Sequence, residues 1–194
     1  YKKITMYKKS NLFYIKFYID IIREIWKNTI VKINSERKGI KMEKKRGFEI
    51  AKGFEDKGIN LPERKTKYSA GYDVEAAEDV IVPSFKKGMA PTLIKTGIKA
   101  YMQDDEVLLL YNRSSNPKKK GLILANSVGV IDKDYYGNQD NDGHIMFAFY
   151  NIKDEDVIIK KGECIGQAIF QKYFLADNDA AEGTREGGFG STSK

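Results

Sequence analysis

Residues 129–137, GVIDKDYYG, place two carboxylates and two tyrosines between two glycines, directly after the apolar run LILANSV. The glycines suggest a tight hairpin, in which aspartates are commonly solvated turn residues. The alternative is that Asp132 and a tyrosine ring are held rigidly over a ligand. This stretch alone leaves both interpretations open, so other polar segments of the chain must decide between them.

Four further segments carry polar residues near turn signals. In NRSSNPKKKGL, residues 112–122, Arg113 and two serines stand at the end of an apolar run. Guanidinium donors pair with phosphate oxygens and hydroxyls add directional bonds, so this combination can grip a phosphate. Each segment taken singly is also typical of a cap, an edge strand or a linker. The other three are SAGYD (69–73), GECIGQAIF (162–170) and REGGFGSTSK (185–194).

The cysteine and histidine content limits the chemistry that the chain can perform. One cysteine, Cys164, excludes an internal disulfide framework, and one histidine, His144, argues against a zinc site. A bound metal is therefore expected to be a hard cation with oxygen ligands, such as Mg²⁺. Without a histidine nearby in sequence to activate it, Cys164 is expected to be a small buried hydrophobe.

The net charge of +7 is unevenly distributed along the 194 residues. Residues 1–41 hold 11 Lys/Arg against 3 Asp/Glu, whereas residues 42–194 hold 23 against 24. The main body therefore lacks the basic footprint of a nucleic-acid-binding protein, and no nucleic-acid partner is expected for it.

The N-terminal segment has a helical period over residues 12–31. Leu12, Ile15, Ile19, Ile22 and Trp26 fall on one face, and charged residues fall on the other. Five charges in this span argue against a transmembrane helix. Docking on a membrane surface or a partner is one interpretation. The other is that the segment is translated AT-rich upstream DNA and that the protein starts at Met42.

After residue 46, short apolar runs alternate with turn signals about every ten residues, as is typical of an all-β sandwich or barrel. One helical turn is expected near Asn116–Lys120, where Pro117 suits a first helical position. The tail from Ala176 is small, polar and Gly-rich, which predicts a flexible end.

Taken together, in this order and spacing, the five segments resemble the motifs of the trimeric dUTPases, over residues 47–194. The resemblance implies a jelly-roll-like all-β fold that forms a cytoplasmic homotrimer with active sites at subunit interfaces. Three domains are implied. A basic extension at 1–46 contains the amphipathic helix, and a β domain spans 47–176. A tail at 177–194 closes a neighbour's site. The implied reaction is hydrolysis of dUTP to dUMP and pyrophosphate with Mg²⁺, which limits uracil in DNA and supplies dUMP for thymidylate synthesis.

The resemblance assigns the opening stretch to water activation and nucleoside recognition. Asp132 matches the carboxylate that activates the attacking water. Tyr135 matches the ring that packs on the deoxyribose and leaves no room for a 2′-hydroxyl. Asn126, together with backbone groups of the same hairpin at Gly129, matches the group that recognises uracil.

The other motifs are assigned to the phosphates and the metal. Arg113, Ser114 and Ser115 match the phosphate-binding segment, and Gln167 matches an amide that contacts phosphate or water. Asp73 matches an acid that contacts Mg²⁺ indirectly, through water. The tail residues implied to bind substrate are Arg185, Phe189, Ser191 and Thr192.

The chain departs from the family pattern at Arg185, which is one residue closer to Phe189 than is common. Two other functions compete with the hydrolase. A dCTP deaminase shares the fold but carries a glutamate in its hairpin, and residues 126–137 contain none. A non-catalytic relative would be expected to lack Asp132 or Arg113, and both are present.

Overall fold

The computed structural model describes residues 18–27, 29–30, 44–183, 185 and 187. The chain divides into two units, residues 1–44 and 45–194, which are described separately. No helix among the described residues is both long and apolar enough to span a membrane.

In the first unit, residues 18–27 and 29–30 form helix α1. This agrees with the helical period of the sequence, although Leu12 and Ile15 lie outside the described residues. Within the predicted apolar stripe, Ile19, Ile22 and Trp26 are exposed, with 67% of the Trp26 surface accessible.

The second unit is an all-β fold, as the sequence predicts. Its described residues form eleven strands. The strands are β1 (Gly47–Ile50), β2 (Tyr72–Glu75), β3 (Val80–Val82), β4 (Thr92–Lys95), β5 (Ile98–Tyr101), β6 (Glu106–Asn112), β7 (Leu122–Leu124), β8 (Gly129–Ile131), β9 (Met146–Asn151), β10 (Val157–Ile159) and β11 (Cys164–Lys172).

The strands pair in antiparallel fashion in four sheets. The largest has the order β2-β11-β6-β8, and a second has the order β4-β9-β7. Two-stranded sheets are formed by β1 with β5 and by β3 with β10. Helix α2 (Asn116–Lys120) follows β6 at the predicted position, with Pro117 in its first turn and Gly121 as a left-handed C-cap.

The core lies between the buried faces of these sheets. Alternation along β6 buries Leu108 and Leu110, and alternation along β9 buries Phe147 and Phe149. The Phe147 ring packs so closely on β11 that a Cβ on Gly166 would lie 2.1 Å from it. A glycine is therefore required at this position, directly before Gln167.

The expected tight hairpin over 129–137 is wrong. A turn at 125–128 joins β7 to β8, with Ser127 at φ 59°. However, β7 pairs with β9 while β8 pairs with β6, because their apolar residues complete two different sheets. Asp132 therefore does not stand at a hairpin tip but follows β8 at the start of a short 3-10 helix, Lys133–Tyr135.

Candidate active site

Asp132 is the N-cap of the 3-10 helix that follows β8. Its backbone is extended, and its carbonyl oxygen accepts the Tyr135 amide at 3.1 Å. Its carboxylate makes no capping hydrogen bond, and the side chain is 51% exposed. The carboxylate is thus directed away from its own backbone, in contrast to a typical capping aspartate.

Tyr135 is buried in the main hydrophobic core, with 5% of its surface exposed. Its phenol donates to the His144 carbonyl oxygen at 3.0 Å and accepts from the Asn141 amide nitrogen at 2.8 Å. Burial raises the pKa of the phenol, against the opposing effects of the Asn141 hydrogen bond and the Arg185 charge. Tyr135 is therefore a neutral ring that is fixed at its hydroxyl end.

Arg185 from the tail lies beside these residues in the same chain. Its Nη2 donates to Asp132 Oδ2 at 2.7 Å, and its Nε donates to Asp134 Oδ1 at 3.0 Å. Its guanidinium carbon lies 5.7 Å from the Tyr135 ring centroid. We call Asp132, Asp134, Tyr135 and Arg185 the Asp132 cluster. Phosphate binding by Arg185 stays a prediction, and Phe189, Ser191 and Thr192 lie outside the described residues.

The two residues expected to read uracil border the turn before β8. Asn126 is exposed, and its carbonyl oxygen accepts the Val128 amide at 2.6 Å. Gly129 is buried opposite Leu110, where an added Cβ would come within 3.0 Å of the leucine side chain. The close approach of these two strands requires a glycine at this position.

Arg113, Ser114 and Ser115 occupy the connection between β6 and α2. Asn116 holds this connection in place, since its side-chain amide donates to Asn112 Oδ1 at 2.8 Å and to the Ile165 carbonyl at 2.9 Å. Arg113 donates to the Cys164 carbonyl at 3.4 Å. Ser115 makes no side-chain cap, and Ser114 is exposed, so neither hydroxyl is used to start the helix.

Gln167 and Asp73 face each other across β11 and β2. They are direct register partners, and Gln167 Nε2 donates to Asp73 Oδ1 at 3.1 Å. An added Cβ on Gly71 would lie 3.0 Å from Gln167 Oε1, so the glycine of SAGYD makes room for this amide. Arg113, Ser114, Ser115, Gln167 and Asp73 are called the Arg113 cluster.

Asp73 also lines a polar cleft that contains further acidic side chains. The lining residues are Asn60, Leu61, Glu63, Lys65, Asp73 and Glu75. Glu63 pairs with Lys65, and Glu75 accepts from Asn60 at 3.0 Å. The described part of the chain has no group of three His, Cys, Asp or Glu side chains that could hold a metal directly. Oxygen donors of this kind fit a Mg²⁺ ion that keeps its waters and is contacted through them.

The two clusters lie at opposite ends of β6. Arg113 directly follows the last residue of β6, whereas Ile131, just before Asp132, pairs with Leu108 near its start. At about 3.3 Å per residue, the strand separates the backbone positions of Arg113 and Asp132 by roughly 20 Å. A single chain therefore does not bring Arg113 to Asp132.

The loop at 138–144 holds two residues that sequence reasoning did not assign to the site. Asn141 and His144 both hydrogen-bond the phenol of Tyr135, through a side chain and a backbone carbonyl respectively. His144 Nε2 accepts the Gly97 amide at 3.0 Å. Burial lowers the pKa of His144 to about 4. The sequence feature that could have indicated these two residues is a loop rich in Asn and Gly directly after the Asp132 motif.

The family model for dUTPase matches residues 57–193. Deoxyuridine 5'-triphosphate nucleotidohydrolase of Lactococcus lactis subsp. lactis (strain IL1403) is 55% identical over 149 residues, spanning 76% of this chain and 97% of the relative. The protein of the same name from Rickettsia conorii (strain ATCC VR-613 / Malish 7) is 38% identical over 146 residues, spanning 73% and 93% respectively.

Solved structures agree with these relatives. The crystal structure of dUTPase from Streptococcus mutans has a TM-score of 0.63 at 46% identity and covers 68% of this chain and 98% of that one. A mutant dUTPase from phage phi11 of S. aureus, described with a structural Mg(II) ion, has a TM-score of 0.55 at 19% identity. It covers 72% of this chain and 98% of that one, and it supports the fold alone.

The chain belongs to the dUTPase family. The family and the class of enzyme predicted from the five motifs are thereby confirmed, as is the all-β fold.

Proposed function

We propose that the chain hydrolyses dUTP to dUMP and pyrophosphate by attack of water on the α-phosphorus. The observation that carries this proposal is the half-exposed Asp132 carboxylate, which has no capping bond and lies next to a buried, fixed tyrosine. Such a carboxylate can take a proton from water while the ring fixes the nucleoside beside it. Arg185 must leave Asp132 Oδ2 for that oxygen to bind the water.

Tyr135 selects the sugar. Its ring is held from the core side and at its hydroxyl, and the guanidinium of Arg185 lies over it. A deoxyribose can pack on the ring once Arg185 moves, whereas a 2′-hydroxyl would require the ring to shift. Asn126 and the backbone near Gly129 read the uracil in a turn that is too narrow for a purine.

The complete site draws residues from three chains of a homotrimer, with the Asp132 and Arg113 clusters supplied by two different chains. The separation of Arg113 from Asp132 along β6 supports this, because the two side chains of one chain do not meet directly. In this arrangement, the Arg113 cluster grips the phosphates of a nucleotide that lies on the Asp132 cluster of a neighbour. Arg185, Phe189, Ser191 and Thr192 of a tail then close over the bound substrate.

The proposed cofactor is Mg²⁺, which when bound would supply positive charge against the anionic oxygens that shield the α-phosphorus. Asp73 would hold the ion indirectly through water, with its carboxylate oriented by Gln167. Arg113 and the two serine hydroxyls supply the protein's own share of this charge neutralisation.

The remaining assignments complete the biological role. The β domain comprises residues 47–176 and the closing tail comprises 177–194, while residues 1–41 of the basic extension are dispensable for catalysis. The enzyme acts in the cytoplasm, where removal of dUTP limits uracil in DNA and the dUMP formed supplies thymidylate synthesis.

Pyrophosphate release with dUTP, dCTP, dTTP and UTP, each with Mg²⁺ and with a chelator, tests the proposal. Strong Mg²⁺-dependent release with dUTP alone is expected. Ammonia release from dCTP would show a deaminase instead, and tight binding of dUTP without turnover would show a non-catalytic relative.

A further inference from the structure

The loop at 138–144 is built around two asparagine side chains. Asn138 Nδ2 donates to the Tyr135 carbonyl at 2.8 Å and to Asn141 Oδ1 at 2.9 Å. Asn138 Oδ1 in turn accepts the backbone amides of Asp140 and Asn141, each at 3.1 Å. The loop is therefore folded back on the residue that precedes it.

These contacts fix the orientation of the Asn141 amide. Asn141 Oδ1 accepts from Asn138 Nδ2 and from the Gly143 amide, the latter at 3.1 Å. Its Nδ2 must therefore face the Tyr135 phenol, to which it donates at 2.8 Å. The phenol hydrogen is left to the His144 carbonyl, so both hydrogen-bonding directions of this hydroxyl are set by the loop.

Asp142 anchors the loop to strand β5 and to the turn that follows β1. It adopts φ 60°, and its Oδ2 accepts from the Lys52 amide at 2.9 Å and from Lys99 Nζ at 2.7 Å. Burial raises the pKa of Asp142, but the hydrogen bonds from Lys99 and Lys52 outweigh it and the net pKa is lowered. At neighbouring Gly143, an added Cβ would lie 2.8 Å from the Tyr135 carbonyl oxygen. The loop cannot move away from Tyr135 without breaking these contacts.

We propose that Asn141 is a positioning residue for Tyr135 and that it sets the preference for deoxyribose over ribose. The inference rests on the proposed contact between Tyr135 and the sugar. Asn141 does not touch the substrate in this scheme. It holds the hydroxyl end of the ring, and the face of the ring then meets C2′ of the sugar at a fixed clearance.

Loss of the Asn141 amide leaves the phenol with a single hydrogen bond and lets the ring tilt. One neutral hydrogen bond corresponds to about a 5-fold change in an equilibrium. In Asn141→Ala, the ratio of kcat/KM for dUTP to kcat/KM for UTP is expected to fall about 5-fold. A tilted ring binds deoxyribose less well and clashes less with ribose, so the change should appear mainly in KM.

The test compares Asn141→Ala with Gln139→Ala, which removes an exposed amide from the same loop. Tyr135→Phe and the double variant complete a cycle, with melting temperatures measured for each protein. We expect Asn141→Ala to lower the dUTP/UTP ratio, Gln139→Ala to leave it unchanged, and the double variant to resemble Tyr135→Phe alone.

Failure of the inference and failure of the proposed function give different results. An unmodified protein that does not turn over dUTP would contradict the proposed function. The positioning role would be overturned if the unmodified protein discriminates against UTP and Asn141→Ala has the same ratio of kcat/KM for dUTP to kcat/KM for UTP. If Asn141→Ala does not fold, Tyr135→Phe decides, because an unchanged ratio there would show that the phenol contacts do not set sugar preference.

Discussion

The Asp132 cluster and the Arg113 cluster lie at opposite ends of β6 and are built in different ways. At the first, a buried ring is fixed by side-chain and backbone hydrogen bonds from a separate loop. At the second, Arg113, Ser114 and Ser115 are half-buried or exposed and are carried by the connection between a strand and a short helix. The difference suits one end to discrimination by shape and the other to binding by charge.

The largest effect is expected from Asp132→Asn, which removes the proposed base and keeps its shape. The rate constant kcat should fall by about 10²- to 10⁴-fold, because a general base supplies that much. Binding of a non-hydrolysable dUTP analogue should be retained. The matched control is Asp134→Asn, which removes the other carboxylate on Arg185 and should cost less than about 5-fold. Near-normal turnover in Asp132→Asn would show that the catalytic base does not lie at this end of β6.

Arg113→Ala tests the opposite end. We expect kcat/KM for dUTP to fall about 10- to 100-fold, because hydrogen bonds to charged groups are stronger than neutral ones. Sugar preference should be unaffected, since the variant does not alter the Tyr135 end. Lys118→Ala, an exposed cation in α2, is the control. A changed dUTP/UTP ratio in Arg113→Ala would show that the two ends do not divide recognition as proposed.

Acidification should weaken the Tyr135 end through His144. Its pKa is near 6.5 when unfolded and about 4 when folded, so the unfolded state binds the proton first. The free energy of unfolding should fall as the pH drops from 6.5 to 4, by up to about 3 kcal/mol. Chemical denaturation across this range, compared with His144→Gln, checks the prediction. Equal pH dependence in the two proteins would contradict it.

Removal of residues 1–41 should have the smallest effect. The described core and both clusters lie beyond residue 44, so a chain that starts at Met42 should keep its kcat/KM and assembly size. Kinetics and light scattering of this shortened protein provide the check. Loss of activity or of assembly would show that residues 1–41 are needed for catalysis or for assembly.

Local sequence patterns account for most of the strands and for α2. Period-two alternation places Leu108, Leu110, Phe147 and Phe149 in the core, and Pro117 marks the start of the helix. Which strands pair depends on contacts between distant segments, which alternation does not encode. For that reason, the glycines of residues 129–137 suggested a tight hairpin, although Asp132 follows β8 at the start of a 3-10 helix.

The site was only partly predictable for the same reason. The pairing of Gln167 with Asp73 follows from motif order only once the register of β11 and β2 is known. The Asn141 contact depends on the path of a seven-residue loop whose composition resembles that of any polar turn. The bidentate pair of Arg46 with buried Glu106 also escaped prediction, because 60 residues separate the two.

Subunit mixing tests most directly the claim that each site joins the Asp132 cluster of one chain to the Arg113 cluster of another. Asp132→Asn and Arg113→Ala chains are unfolded together, refolded in equal amounts and assayed with dUTP. If two chains build each site, random assembly should restore about one quarter of the unmodified activity, because that share of sites receives both intact clusters. A mixture no more active than the two variants refolded separately would contradict the claim.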